Sequence, residues 1–402
     1  MRASWFTRPG SVFGLLICLL MGVAGAFGQD VGGAASAGIF RAKNPESRRR
    51  TRPAPRRGTR TTPPDAGVED RVEDLLDKGN EFRDGRRFAE AEASYQGILK
   101  IKPRDGRAAY GLGNIYFDQQ RWDEAESAYR DAVQWSPADV DSLVALSVVL
   151  VQPRAGAGNA KRFTEAEGFA RRATNLAPKN AVAWDRLGVA LQSRGVWTSE
   201  TEQAYRKAVQ LDPQFAVAYA HLARVLNKMG RRADAEPLYA QAVQLAKNAP
   251  TLNLIAESLQ AEQQWENSEP VLKRALELDA RNATALVMMG RMLSVFKRFQ
   301  EAESYLKLAT EVSPRGFEPH HLLGSAYLAM QRYEEAEMTY ERALEFASAG
   351  DRKQLAGAYG LEGVGDGYAK AKKKPSAARA YRRALEIDPG NKRLEQKLAD
   401  VR

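Results

Sequence analysis

The 402-residue chain has very little of what most catalytic and metal sites need. It contains one cysteine, Cys18, and three histidines. A single cysteine excludes an intramolecular disulfide and a cysteine-based metal cluster. The sequence also has no HExxH, CxxC or GxSxG segment, and these are typical of zinc peptidases, thiol oxidoreductases and serine hydrolases. We therefore expect a protein that is not an enzyme and that needs no cofactor or metal.

Long apolar runs are scarce as well. Hydrophobic residues make up 44% of the chain and charged residues 27%, and the mean hydropathy is −0.48. This composition is typical of a soluble globular protein. It argues against a polytopic membrane protein and against a chain that is disordered throughout.

The net charge of +10 belongs mainly to one short stretch. Residues 41–60 carry nine bases, and residues 29–60 contain only two acids, Asp30 and Glu46. The remainder of the sequence, from residue 61 onward, is therefore nearly neutral. A basic partner-binding surface, if present, is predicted in the N-terminal tail and not in the folded body.

The first 28 residues have the pattern of an export signal. Arg2 and Arg8 precede an uncharged apolar run centred on Val12–Val23, and small residues follow at 24–26. The apolar centre is shorter than the about 20 residues of a membrane span. We predict a cleaved signal peptide at 1–28 and export to the periplasm or cell envelope. The alternative is an N-terminal membrane anchor, because the bases that follow favour a cytoplasmic position for that flank.

Residues 29–70 are predicted to be a disordered basic linker, rich in Pro and Arg. The stretch has too few aliphatic residues to offset the entropy cost of ordering. One interpretation is an arm that binds an anionic surface or nucleic acid, and the other is a solvated spacer. No aromatic residues alternate with the bases, so no specific nucleic-acid recognition is predicted. The arginines of the arm are Arg48, Arg49, Arg50, Arg52, Arg56 and Arg57.

From Val72 onward the sequence repeats itself. The segments 125–132, 336–343 and 377–384 read AESAYRDA, AEMTYERA and AARAYRRA. Each follows a Leu-Gly or Val-Gly pair, and Pro137, Pro314 and Pro389 come five residues after the last alanine of a unit. Within the second unit, Ala109, Leu112 and Tyr116 share one helix face. Each unit therefore predicts two amphipathic helices that bury their apolar faces by stacking on their neighbours.

This pattern resembles the tetratricopeptide repeat, W-x₂-L-G-x₂-Y…A-x₃-F…P over 34 residues. Trp184, Leu187 and Gly188 match its opening. The resemblance implies an all-α fold, a right-handed α-solenoid of stacked antiparallel helix pairs at 72–391, with Lys392–Arg402 as a capping helix. We count nine units, which begin near residues 72, 106, 140, 181, 216, 249, 283, 317 and 358.

Several segments depart from the pattern. The third unit has loop-like residues at 153–160, and Asp351–Gly357 is predicted to be a spacer before the ninth unit. Pro270 lies within the second helix of the sixth unit. Four glycines in the first helix of the ninth unit predict that this helix frays first, since each costs about 1 kcal/mol against alanine. They are Gly360, Gly363, Gly365 and Gly367.

The inner face of the first helices is the predicted binding groove. Asn, Arg and Tyr there are suited to reading peptide backbone and carboxylates, although an exposed helix face is polar in any case. Of the histidines, His320 is predicted in the core and His221 at the surface. The main candidates are Asn80, Tyr110, Asn114, Arg224, Asn227, Asn253, Arg291 and His321, and Asp185, Glu257, Tyr359 and Glu362 share the face.

Chaperone-binding members of the family clamp a C-terminal carboxylate with bases and asparagines on three consecutive units. Asn80 and Asn114 match the two asparagines, but Leu76, Val144 and Val148 stand where bases belong. The clamp is incomplete, and that ligand is not predicted. As a different hypothesis, Arg224 and Arg291 form a site for an acidic peptide.

These observations predict a non-catalytic scaffold or adaptor that holds a protein or an extended peptide in its concave groove, in a bacterial cell envelope. No small-molecule substrate is expected. The alternative places the binding in the basic arm, residues 41–60, with the solenoid as a spacer.

Overall fold

The computed structural model describes residues 66–152, 154 and 158–402. These residues form twenty α-helices and contain no strand. They divide into a first compact unit, residues 66–245, and a second, residues 246–402. The predicted signal peptide at 1–28, the arm at 41–60 and half of the 153–160 insert lie outside the described residues. No helix in the described ranges is both long and apolar enough to cross a membrane.

The first unit consists of five helix pairs. They are α1 (Ala66–Asp84) with α2 (Phe88–Ile101), α3 (Gly106–Asp118) with α4 (Trp122–Trp135), α5 (Val140–Leu150) with α6 (Asn159–Leu176), α7 (Ala181–Ser193) with α8 (Ser199–Leu211), and α9 (Ala216–Lys228) with α10 (Arg232–Leu245).

The second unit has four pairs and two additional helices. The pairs are α11 (Ala249–Ala261) with α12 (Trp265–Leu278), α13 (Ala283–Val295) with α14 (Phe299–Val312), α15 (Phe317–Ala329) with α16 (Tyr333–Phe346), and α18 (Leu361–Lys370) with α19 (Lys374–Ile387). The additional helices are α17 (Ala349–Ala356) and α20 (Lys392–Val401).

Within each unit the pairs stack in sequence order. The two helices of a pair pack against each other, and the first helix of the next pair packs against the second helix of the one before. First helices of most neighbouring pairs also contact one another, whereas second helices of neighbouring pairs lie further apart. Each unit therefore curves with its first helices on the inside. The predicted fold class, stacked antiparallel helix pairs of an α-solenoid, is confirmed.

A glycine and a tyrosine lock most pairs together. A Cβ atom added to Gly113 would lie 2.5 Å from the ring of Tyr129, and one added to Gly188 would lie 2.5 Å from the ring of Tyr205. The tyrosine of the second helix thus crosses the first helix where no side chain obstructs it. This contact explains why Leu-Gly pairs recur in the sequence.

The turn between the two helices of a pair contains a residue with positive φ. It is glycine at Gly195 and Gly230, but an L-residue in six other turns. These residues are Arg86, Gln120, Gln263, Lys297, Gln331 and Lys372, with φ between 55° and 62°. The left-handed conformation costs a non-glycine residue roughly 1–2 kcal/mol, and the packing of the two helices offsets that cost.

In six of these eight turns a basic residue follows the residue with positive φ, and several of these bases tie adjacent pairs together. Arg298 contacts Glu301 at 2.7 Å and Glu269 of the preceding pair at 3.0 Å. Arg332 makes the corresponding contact with Glu303 at 2.6 Å. These pairs are partly exposed, so each contributes little alone, but their repetition indicates a common register between pairs.

Four sequence expectations differ from the structure. Helix α1 begins at Ala66, inside the predicted linker, and Glu69 in its first turn forms an ion pair with Lys102 at 2.7 Å. The predicted spacer Asp351–Gly357 is largely helical, since Ser348 and Asp351 form a capping box for α17. The predicted insert ends sooner, because α6 already begins at Asn159. His221 is buried and not at the surface.

Candidate peptide-binding face

The inner face is organised by hydroxyl groups that reach it from the second helices. The Tyr95 hydroxyl donates to Asn80 Oδ1 at 2.9 Å, and the Tyr129 hydroxyl donates to Asn114 Oδ1 at 2.8 Å. In the second unit, the Tyr381 hydroxyl donates in the same way to Asp366 at 2.7 Å. The acceptor lies fifteen residues before each tyrosine. Two of the predicted site residues are therefore held in fixed orientations from the core. Asn80 is half-buried, whereas Asn114 is only 1% exposed and belongs to the packing between the helices.

This relation is absent from the fourth pair. Val189 directly follows Gly188, as Asn114 follows Gly113, and the side chain of valine cannot accept a hydrogen bond. The Tyr205 hydroxyl consequently has no hydrogen-bond partner in the described part of the protein. Burial raises its pKa well above the usual value for tyrosine, so the hydroxyl is protonated at neutral pH.

A compact group of polar side chains surrounds Tyr205. Asp185 is 0% exposed and Arg186 is 2% exposed. Asp185 Oδ1 lies 2.8 Å from His221 Nδ1, and Asp185 Oδ2 lies 3.5 Å from Arg186 Nε. The His221 ring is also 5.3 Å from the Tyr205 ring, centre to centre. Burial opposes ionisation of Asp185, but the charges of His221 and Arg186 outweigh it and lower the pKa of this carboxyl.

Two predicted site residues are half-buried on the helix that carries His221. Arg224 and Asn227 are one turn apart on α9. The Arg224 guanidinium lies 5.7 Å from the centre of the Trp197 ring. The Asn227 Nδ2 atom has no hydrogen-bond partner within the described ranges.

The remaining candidate of the first unit is more deeply buried. Tyr110 is 3% exposed, and its ring lies 6.0 Å from that of Tyr129. Burial raises the pKa of its hydroxyl far above the usual value. Tyr110 therefore contributes to the packing between pairs, and its hydroxyl is a neutral group.

Candidates in the second unit are largely engaged with neighbouring helices. Asn253 donates through Nδ2 to Asn282 Oδ1 at 2.8 Å, and Asn282 caps α13. Arg291 forms an ion pair with Glu318 of α15. Glu362 is paired with Lys397 of α20 at 2.6 Å. An acidic-peptide site formed by Arg224 and Arg291 stays a prediction, and Arg291 already has a carboxylate partner within its own unit.

His321 is the remaining main candidate of the second unit. Its ring is stacked on Phe317 at 5.4 Å with an interplanar angle of 8°. Its Nε2 atom has no hydrogen-bond partner among the residues described. Burial lowers the pKa of His321, so the ring is neutral at physiological pH. His320 is buried as predicted, with Nδ1 2.8 Å from the carbonyl oxygen of Gly316.

Sequence reasoning missed three residues of this face. Arg83 and Asp118 form a nearly buried ion pair at 2.7 Å between α1 and α3. Their separation of 35 residues, about one repeat, is the signal that could have indicated this contact. Arg186 was also missed, because its place in the repeat is a packing position in the other pairs. No group of His, Cys, Asp and Glu side chains suited to a metal ion occurs among the described residues.

Comparison with known proteins agrees with this architecture. Tetratricopeptide repeat profiles match residues 76–140, 215–249, 253–316 and 317–389, together more than half of the sequence. No curated protein sequence matches it.

Solved structures resemble it in fold. The crystal structure of yeast Tom70 has a TM-score of 0.58 and 15% identity, over 96% of this chain and 76% of that one. TTC0263, a thermophilic TPR protein of Thermus thermophilus, has a TM-score of 0.41 and 21% identity, over 47% of this chain and 99% of that one. With its repeated glycine–tyrosine packing, its stacked helix pairs and these profile matches, the chain belongs to the tetratricopeptide repeat family.

Proposed function

We propose that this protein is a non-catalytic scaffold that holds a protein or an extended peptide on the inner face of its first helices. The observation that carries the proposal is the fixed orientation of Asn80, a half-buried residue of the first helix, by the Tyr95 hydroxyl. Amide groups that are already oriented lose little entropy on binding, so they favour recognition of a peptide backbone.

The proposal includes export. The tail has a charged start, a short apolar centre and small residues at 24–26, which is the pattern of a cleaved signal. We propose that the mature scaffold works in the periplasm or cell envelope. The mass of the protein recovered from an envelope fraction tests this, because a cleaved protein lacks about the first 26–28 residues and an anchored one retains them.

Binding is tested by affinity capture with the full-length protein, followed by measurement with the purified partner. The inner-face variant combines Arg224→Ala with Asn227→Ala. Its matched control combines Arg206→Ala with Gln210→Ala on α8, where both side chains are exposed. We expect the inner-face variant to weaken binding at least roughly tenfold, as for an interface centre, and the control to leave the affinity unchanged.

A third variant tests the basic arm. It changes all six of its arginines to glutamine in the full-length protein: Arg48, Arg49, Arg50, Arg52, Arg56 and Arg57. Groove binding largely persists in this variant and at high salt. If affinity is instead lost with the arginines and falls steeply with salt, the arm is the binding element, and the proposed function is wrong.

A further inference from the structure

The turn of the ninth pair, residues 370–375, differs in charge from the turns of the other pairs. In five of those pairs an arginine just before the second helix forms an ion pair with an acid three residues later. These ion pairs are Arg87–Glu90, Arg121–Glu124, Arg231–Asp234, Arg298–Glu301 and Arg332–Glu335. In the ninth pair, Lys373 stands in place of the arginine and Ser376 in place of the acid. The first turn of α19 contains no acid.

Four lysines are concentrated on this turn, and little neutralises them. Lys373 lies 2.7 Å from Glu334 of the preceding pair, and both side chains are more than half exposed. The other three are exposed and form no ion pair or side-chain hydrogen bond with any described residue: Lys370, Lys372 and Lys374. Residues 370–383 contain seven bases and no acid. A basic surface was expected only in the N-terminal tail, and this lysine turn, residues 370–375, places one in the folded body.

The position of these lysines is unfavourable for the fold itself. The N-terminus of a helix is partially positive, so acids stabilise it and bases do not. Lys373 is the N-cap residue of α19 and Lys374 begins the helix, and no side chain caps the free N–H groups there. The lysines therefore contribute nothing evident to stability, whereas an anionic partner relieves their mutual repulsion and the repulsion from the helix end.

The chemistry of the lysine turn favours a diffuse array of negative charge. Lysine carries a compact, strongly hydrated charge on a flexible stem, whereas arginine is suited to bidentate contact with one phosphate or carboxylate. The turn contains no aromatic residue on which a base stacks, and Tyr368 just before it is 0% exposed. Basic clusters near a membrane attract its anionic headgroups. Either interpretation of residues 1–28, signal or anchor, brings the chain to a membrane.

We propose that the lysine turn docks the protein on a membrane that contains anionic phospholipids, with its four lysines supplying the charge. The turn begins at the last residue of α18, so this surface is separate from the inner face of the first helices. The inference does not depend on the proposed scaffold function, and it adds a second interaction surface to it.

The test measures binding of the full-length protein to vesicles of phosphatidylcholine alone and of phosphatidylcholine with an equal amount of phosphatidylglycerol. The ratio of the two affinities isolates the effect of charge, because an apolar contact of residues 1–28 contributes equally to both. Every protein carries the six arginine-to-glutamine changes in the arm that are described above, so that the arm does not dominate the binding.

The turn variant changes the three lysines that have no partner among the described residues: Lys370→Gln, Lys372→Gln and Lys374→Gln. Glutamine is compatible with the left-handed conformation of residue 372, since Gln331 adopts it in the eighth pair. The control variant makes the same change of net charge at three exposed lysines in other parts of the chain: Lys100→Gln, Lys179→Gln and Lys247→Gln. A denaturant titration checks that both variants are folded.

We expect the turn variant to bind the mixed vesicles roughly a hundredfold more weakly, because each lysine beside an anionic membrane contributes about fivefold. The control variant stays within about threefold, since salt screens charges that are far from the membrane. Equal affinities of the two variants overturn the inference, and so does equal binding of the unchanged turn to both kinds of vesicle. Binding of a DNA duplex through these lysines, without binding to the mixed vesicles, identifies nucleic acid as the partner and also overturns it.

Discussion

The inner faces of the two units both carry charged side chains, but their charges are balanced differently. In the second unit, Arg291 is paired with Glu318 and Glu362 with Lys397, each from a neighbouring helix. In the first unit, Asp185 lies fully buried between His221 and Arg186, and the neighbouring Tyr205 hydroxyl has no hydrogen-bond partner among the described residues. Charges satisfied within a solenoid stabilise its stacking. Polar groups that are buried at a junction without a hydrogen-bond partner lower its stability.

The largest expected effect comes from removing the buried carboxylate. Asp185→Ala leaves His221 and Arg186 buried without their counter-charge, which is expected to destabilise the first unit by about 3–5 kcal/mol. The matched change, Glu318→Ala, removes a half-exposed carboxylate and is expected to cost no more than about 1 kcal/mol. Chemical denaturation, with hydrogen exchange resolved by unit, measures both. Equal losses for the two variants would remove the distinction between the units.

A smaller difference in stability is expected between a tyrosine whose hydroxyl has a hydrogen-bond acceptor and one whose hydroxyl has none. Tyr129→Phe breaks the hydrogen bond to the buried Asn114 carbonyl oxygen and is expected to cost about 1–2 kcal/mol. Tyr205→Phe removes a hydroxyl that has no acceptor in the described residues, so the free energy of unfolding is expected to stay within about 0.5 kcal/mol of wild type. Denaturant titrations of the two variants decide this. A clear loss of stability for Tyr205→Phe would indicate that its hydroxyl is already satisfied.

The turns between helices give a third comparison. The second unit has Gln263, Lys297, Gln331 and Lys372 in the left-handed conformation, whereas the first has glycine at two such turns, Gly195 and Gly230. We expect Gln331→Gly to raise stability by about 0.5–1 kcal/mol because it relieves backbone strain. The reverse change, Gly230→Ala, is expected to lower it by about 1 kcal/mol. Thermal unfolding of the two variants tests the signs, and the same sign for both contradicts the expectation.

The smallest effect is a difference in pH dependence. The pKa of His321 is lowered in the folded state by burial, so protonation favours unfolding, and stability is lost as the pH falls below about 6.5. The pKa of Asp185 is also lowered, but its contribution is lost only as the pH falls below about 4. Hydrogen exchange at pH 7 and pH 5 is therefore expected to show loosening around α15 in wild type and less of it in His321→Gln. Identical profiles for the two proteins would contradict this assignment.

The sequence predicted the repeats well and the candidate site only in outline. The spacing of Gly113 and Tyr129 occurs in four of the nine units, and the alanines of the second helices recur with it. The helix pairs and their inner face can therefore be predicted from this one sequence. The partners of the inner-face residues were not predictable, because each partner comes from another helix or from a loop between helices. Asn253 donates a hydrogen bond to Asn282, and Arg291 forms an ion pair with Glu318. A pattern that reports which face a residue occupies does not report what stands opposite that face.

The sequence by itself determined the helix pairs, their number and their apolar faces, because each repeat buries its regularly spaced apolar residues against a similar neighbouring repeat. Only the tertiary structure decided which polar side chains remain unbalanced. The ring of Tyr205 lies against that of His221 from the next pair, and Arg186 and His221 enter the junction from two different pairs. Hydrogen-bond satisfaction is a property of three-dimensional neighbours, so this cluster appears only when the pairs are stacked.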